Sequence, residues 1–210
     1  MKANILAISV LAGVSLLVGC DNREGSGVAP TGTAEKVPAA DHFMRGLAEH
    51  CGEAFRGEVV RNVPEMDEDP FAGKELVMHI RECSDERIRI PFHVGDDHSR
   101  TWVLTRTDYG LQLKHDHRHE DGSPDTITMY GGDSRSGSGE RQEFPIDEET
   151  IELFRANELP DSVTNVWAIE IVPGERFMYE LSRPGGRLFQ VEFDLSNPVD
   201  EPPPPWGATP

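Results

Sequence analysis

The sequence predicts a mainly β chain: an antiparallel meander closed into a barrel with two short helices, a β-sandwich being the alternative packing. Two observations carry this expectation. From Leu76 to Leu195 apolar residues alternate with polar ones in short runs, about nine or ten of them, each bounded by Gly, Pro or Asp turns. Many short turns favour an up-and-down meander over long crossovers. A third observation supplies the helices: only two segments show helical spacing.

The chain opens on Lys2 and an apolar run from Ala3 to Val18, which ends in Leu17-Val18-Gly19-Cys20. A short basic region, an apolar stretch under the ~20 residues of a membrane span, and a small residue before the cut describe a secretory signal over residues 1–19. The closing motif resembles the lipobox of bacterial lipoproteins. That resemblance implies a mature chain starting at a lipidated Cys20, held to the membrane by acyl chains such as palmitate. It places the protein in the cell envelope, facing the periplasm. Asp21 resembles the inner-membrane retention signal of enterobacterial lipoproteins; the outer membrane remains open.

Residues 21–40 are rich in Gly, Pro, Ala, Thr and charge without apolar periodicity, and read with Cys20 as a flexible tether. A single folded domain is expected over 41–196. It starts with a helix capped by Asp41, whose Phe43, Met44, Leu47, Ala48 and Cys51 share one face. Cys51 and Cys83 form an even pair in an exported domain, without CxxC spacing, and a disulfide is expected between them.

Strands follow. Leu76, Met78 and Ile80 alternate with His79 and Arg81; Ile88, Ile90, Phe92 and Val94 alternate with Arg89 and His93. Residues 102–107 and 111–119 form a hairpin around Asp108-Tyr109-Gly110, and 126–130 is the next strand. Residues 131–139, rich in Gly and Ser, read as a loop. Asp147 caps a second helix, with Ile146 and Ile151 at staple spacing, ending by Asn157. Three strands close the domain around Trp167, Tyr179 and Val191, and 197–210, with Pro202 to Pro205 in a row, reads as a disordered tail leaving the fold. The pattern resembles lipocalin-like (calycin-like) barrels, a likeness of fold that carries no activity.

Composition narrows function by exclusion. With 38 Asp and Glu against 20 Lys and Arg, the net charge is −18. So acidic a chain repels nucleic acid, and no nucleic-acid partner is expected. There is no nucleophile elbow, phosphate loop, zincin helix or EF-hand spacing, so a non-catalytic role is favoured.

The sharpest constellation is Lys114-His115-Asp116-His117-Arg118-His119. On a strand, His115, His117 and His119 share the face of Leu111 and Leu113, which in a barrel is the interior. Neutral imidazoles there suit a divalent transition metal or a polar, proton-sensitive ligand. The third reading is a solvated strand end. Three successive inward positions span about 13 Å, so at most an adjacent pair can chelate one ion. Trp102, Trp167 or Phe side chains would supply the apolar wall of a pocket. His79 and His93 have outward parity; His79 is expected to be exposed, and His93 is not expected to join the interior site. Asp96, Asp97 and His98 fall in a turn, where aspartates bond the local backbone or supply a further metal ligand.

Phe92-His93-Val94-Gly95-Asp96-Asp97-His98, Arg100 to Leu104 and Leu113 to Asp121 resemble a group of uncharacterised exported proteins of proteobacteria, a likeness that implies no activity. The function expected is that of an envelope lipoprotein binding a small ligand or joining an envelope assembly. The alternative is a metal-binding protein or metal-dependent hydrolase built on the strand histidines.

Overall fold

A computed structural model of the protein describes residues 38–65, 69–134 and 137–208. The expected signal peptide, Cys20 and nearly all of the tether lie outside the described residues. Helix α1 (Ala39–Ala48) is followed by strands β1 (Ala54–Val63), β2 (Leu76–His79), β3 (Glu82–Cys83), β4 (Arg87–Val94), β5 (Asp97–Thr107), β6 (Gly110–His117), β7 (Tyr130–Ser134) and β8 (Arg141–Pro145). Helix α2 (Glu148–Ala156) and a 3-10 turn at Pro160–Ser162 lead to β9 (Val166–Val172), β10 (Arg176–Arg183) and β11 (Arg187–Val199).

These strands form a nearly closed antiparallel barrel with two helices. The order around it is β7-β6-β5-β4-β2-β1-β11-β10-β9-β8, with β3 attached to β4. Chain neighbours are thus spatial neighbours, as in a meander, and β11 returns to pair with β1. The seam lies between β7 and β8, where a lone bridge joins Gly132 to Ile146. Inward residues alternate with outward ones, so Phe55, Met78, Ile90, Leu104, Leu113, Ile169, Phe177, Val191 and Phe193 fill one continuous core.

One end is plugged by α1, which buries Phe43, Met44 and Leu47. Its start differs from the expected one. The helix begins on the Pro38 carbonyl, and Asp41 sits in its first turn, where it pairs with Arg106 of β5. The Cys51–Cys83 disulfide ties the end of α1 to β3, with Cα atoms 6.2 Å apart. Closing a loop of this length contributes roughly 3.5 kcal/mol in the chain-entropy account. At α2 the expected cap is present: Asp147 accepts from the Thr150 N–H at 2.8 Å. Lys114 of β6 donates to Asp147 at 2.8 Å and Glu149 at 2.9 Å, which docks the helix beside the seam.

Three expectations are corrected. First, residues 131–134 are strand β7, not loop, because two glycines let backbones meet where side chains would collide. A Cβ on Gly131 would run into the Leu113 carbonyl, and one on Gly132 into that of Pro145. Second, 126–129 is irregular rather than a strand. Met129 has a left-handed φ of 54°, and Thr128 turns its hydroxyl to accept from the His117 N–H at 2.8 Å. Third, the chain does not leave the fold at residue 197. β11 runs to Val199, which pairs with Ala54, and the Trp206 N–H donates to the His98 carbonyl at 3.1 Å. Pro205 is buried and Gly207 lies against Gly122. Extended proline-rich backbone can be held by apolar contact with few hydrogen bonds, which is how it stays on the barrel.

The close approach at β7 gives a direct test. Gly131→Ala should lower unfolding stability by about 1–3 kcal/mol, through overpacking against the Leu113 carbonyl. Urea unfolding measures the loss, and hydrogen exchange should show β6 and β7 amides losing protection before those of β10 and β11.

Candidate functional site

Opposite the α1 plug, the inward residues at the ends of β4, β6 and β10 and the starts of β5 and β11 enclose a cavity of about 160 Å³. Aromatic rings form its wall. Trp102 stacks between Phe92, at 4.8 Å, and Tyr179, at 4.5 Å. Phe71, from the β1–β2 connection, stacks on Phe189 at 4.7 Å and reaches Phe92 at 6.1 Å. Leu181 and Tyr130 complete the apolar lining, and Arg100, Thr101, His115, His117 and Arg187 supply the polar groups.

The histidines enter through β6. His115 pairs across from Trp102 on β5 and Tyr130 on β7, so both neighbours set its ring among aromatics. Its Nδ1 lies 3.1 Å from the Tyr130 carbonyl and its Nε2 2.8 Å from the Tyr179 hydroxyl. A carbonyl only accepts, so Nδ1 carries the hydrogen and Nε2 accepts from Tyr179. The ring stacks on Tyr130 at 4.6 Å, nearly parallel. Burial, reinforced by His117, holds the His115 pKa down to about 3. His117 lies one step nearer the mouth, its Nε2 3.2 Å from the Tyr130 hydroxyl. Burial and the Arg100 charge hold its pKa down to about 4. Burial pushes Tyr130 up to about 12 and Tyr179 well above its ordinary value. At neutral pH the floor of the mouth is therefore an uncharged network of two imidazoles and two phenols.

The expected site residues separate. His115, His117 and Trp102 line the cavity. Trp167 does not; it backs His115 at 5.2 Å and Tyr130 at 5.8 Å from within the core. His119 is not on the shared face either, because β6 ends at His117 and the chain turns. There the His119 N–H donates to Ser123 and its carbonyl accepts from Gly122. The three histidines therefore do not converge as a ligand set, and both ring nitrogens of His115 are already engaged. Among the described residues no group of three or more His, Cys, Asp or Glu side chains is placed to hold a metal ion.

Several lining residues escaped the sequence reading. Arg100 was legible by parity with Trp102, and Arg187 by parity with Phe189 and Val191. Phe71 was not, since it sits in a connection without periodicity.

In the second histidine group, His79 is corrected in burial rather than parity. His79 and His93 do face outward, yet each is only 3% exposed. The returning C-terminal segment accounts for this: Glu201 acts on His79, and Trp206 lies 6.5 Å from His98, whose ring meets His93 edge-on at 4.5 Å. Both ring nitrogens of His93 are buried without a hydrogen-bond partner. Burial, followed by the nearby His98 and His79, holds its pKa down to about 4. The turn is confined to Gly95 and Asp96, and Asp97 and His98 already belong to strand β5, because Asp97 pairs with Val94 across a tight hairpin; Asp97 still bonds the local backbone, accepting from the Ser99 N–H at 3.0 Å, and also pairs with Arg100 at 2.5 Å.

Comparison with models of protein families, with curated proteins and with solved structures finds no match to this chain.

The buried histidines set an acid limit on stability. His93, His115 and His117 have folded pKa values below the unfolded value near 6.5. The folded state therefore refuses protons that the unfolded chain accepts. Stability should be complete above about pH 6.5 and fall toward pH 4, by up to about 1.4 kcal/mol per pH unit for each histidine. Carboxylates with lowered pKa act only at still lower pH, so urea midpoints at pH 7.5 and pH 5 isolate the histidines. His93→Leu should raise the pH 5 midpoint and reduce the difference; unchanged midpoints across this interval would refute the assignment.

Proposed function

We propose that the protein is a lipid-anchored envelope lipoprotein whose barrel mouth binds a small, ring-sized ligand without chemical conversion. The observation that carries the binding reading is the aromatic-walled cavity with its few fixed polar groups. An apolar cavity of about 150 Å³ accommodates benzene, which sets the ligand scale at about one ring. The imidazoles are held neutral and hydrogen-bonded, so they favour recognition over proton transfer near pH 7. The anchor reading is supported by the Leu17-Val18-Gly19-Cys20 motif and by the disulfide, which suits an oxidising compartment. Among the described residues no helix is long and apolar enough to cross a membrane.

Each half has its own experiment. Leu181→Trp fills the cavity and should abolish calorimetric binding of benzyl alcohol while leaving the melting temperature unchanged or raised. Binding that survives this filling would place the ligand elsewhere. Cys20→Ser should move the protein from the membrane fraction to the soluble periplasmic extract and end incorporation of labelled palmitate. Persistence in the membrane fraction without the label would refute lipid anchoring.

A further inference from the structure

We propose that residues 200–208 form an acid-released strap: protonation of His93 lifts the Trp206 end of this segment off the barrel and opens the outer face of β2 and β4 to water. The ground is a buried polar group that the fold leaves unserved. His93 points outward from β4, yet it is covered, and both of its ring nitrogens lie without a hydrogen-bond partner. Buried polar side chains are almost always paired, so an exception under a terminal segment calls for a reason.

The cover is thinly attached. Pro202 to Pro205 have no N–H to donate. Among the described residues, one main-chain hydrogen bond joins 200–208 to the barrel, from the Trp206 N–H to the His98 carbonyl at 3.1 Å. Contact holds the remainder: Pro205 is buried, the half-buried Trp206 lies 6.5 Å from the His98 ring, and Gly207 rests against Gly122. A segment held in this way can open while the strand ladders stay intact.

A neutral His93 tolerates the cover; an imidazolium does not. Protonation gives the ring two N–H donors with no acceptor. It also sets a charge near the imidazoles of His79 on β2 and His98 on β5, and near the guanidinium of Arg81, which follows β2. The carboxylate that acts on His93 is Asp97 of β5, and it is itself paired with Arg100. Water supplies the missing acceptors once the Trp206 end lifts. On the strap, Glu201 acts on His79 and favours its charged form. That attraction keeps the start of the strap in place under acid, so the part that opens runs from Pro205 to Ala208.

Hydrogen exchange of the Trp206 amide in the full chain, corrected for intrinsic rate, tests this between pH 7.5 and pH 5. Burial holds the covered His93 down to about 4, whereas a hydrated imidazole titrates near 6.5. The open population should therefore rise about thirtyfold over the interval, and low urea should leave it unchanged because little surface is exposed. His93→Leu should remove most of the rise. Trp206 exchange that does not rise in the wild type, or that rises only together with β10 core amides and grows with urea, overturns the strap. An equal rise in His93→Leu also overturns it, since another group would then drive opening. So does one equivalent of zinc bound at pH 7.5 by the wild type and not by His93→Leu, because the two nitrogens would then serve a metal. The wild-type exchange series decides the question even if the variant folds poorly.

Discussion

The pairing of β1 with β11 joins Ala54 to Val199 and Val63 to Leu188, and the geometry of the site depends on that contact. It brings the first and last strands of the domain together, so the entropy of closing nearly all of the folded domain must be offset before the core is complete. Burial of the aromatic and aliphatic interior supplies the compensation, at roughly 25 cal/mol for each Å² removed from water. Without it β10 and β11, which carry Tyr179, Leu181, Arg187 and Phe189, would not face β5 and β6, which carry Trp102, His115 and His117. The cavity is therefore a product of closure and belongs to no local segment.

Closure also explains the electrostatics. An imidazole in an apolar wall keeps its place by remaining neutral and giving each nitrogen a partner, as His115 does with Tyr130 and Tyr179. His93, under the C-terminal segment, has the burial without the partners. The two ends of the barrel differ in the same terms. One is sealed by the apolar face of α1, whereas the other is left open and rimmed by arginines on an otherwise acidic molecule.

How legible each part was in the sequence follows from how local its cause is. Helix α2 was legible because a capping aspartate acts within a few residues. Strands β4, β5, β6, β10 and β11 were legible because alternation records one face in the core. Strand β1 was not, since its register shifts twice against β11 and Gly57 stands where a side chain would meet the Phe193 ring. Strand β7 reads as a loop because its glycines answer to backbones that arrive from elsewhere in the chain. The alternation also placed His119 with His115 and His117, because periodicity does not show where a strand stops.

By itself the sequence determined the fold class, the second helix, the inward face of His115, His117 and Trp102, and the cysteine pair. Each of these depends on side-chain type and short-range spacing. Only the tertiary structure decided where the barrel closes, that the proline-rich end lies back over His79 and His93, and that Arg187 and Arg100 line one cavity. These depend on which distant strands meet, and pairing between distant strands is set by the sum of the core's packing rather than by any local pattern.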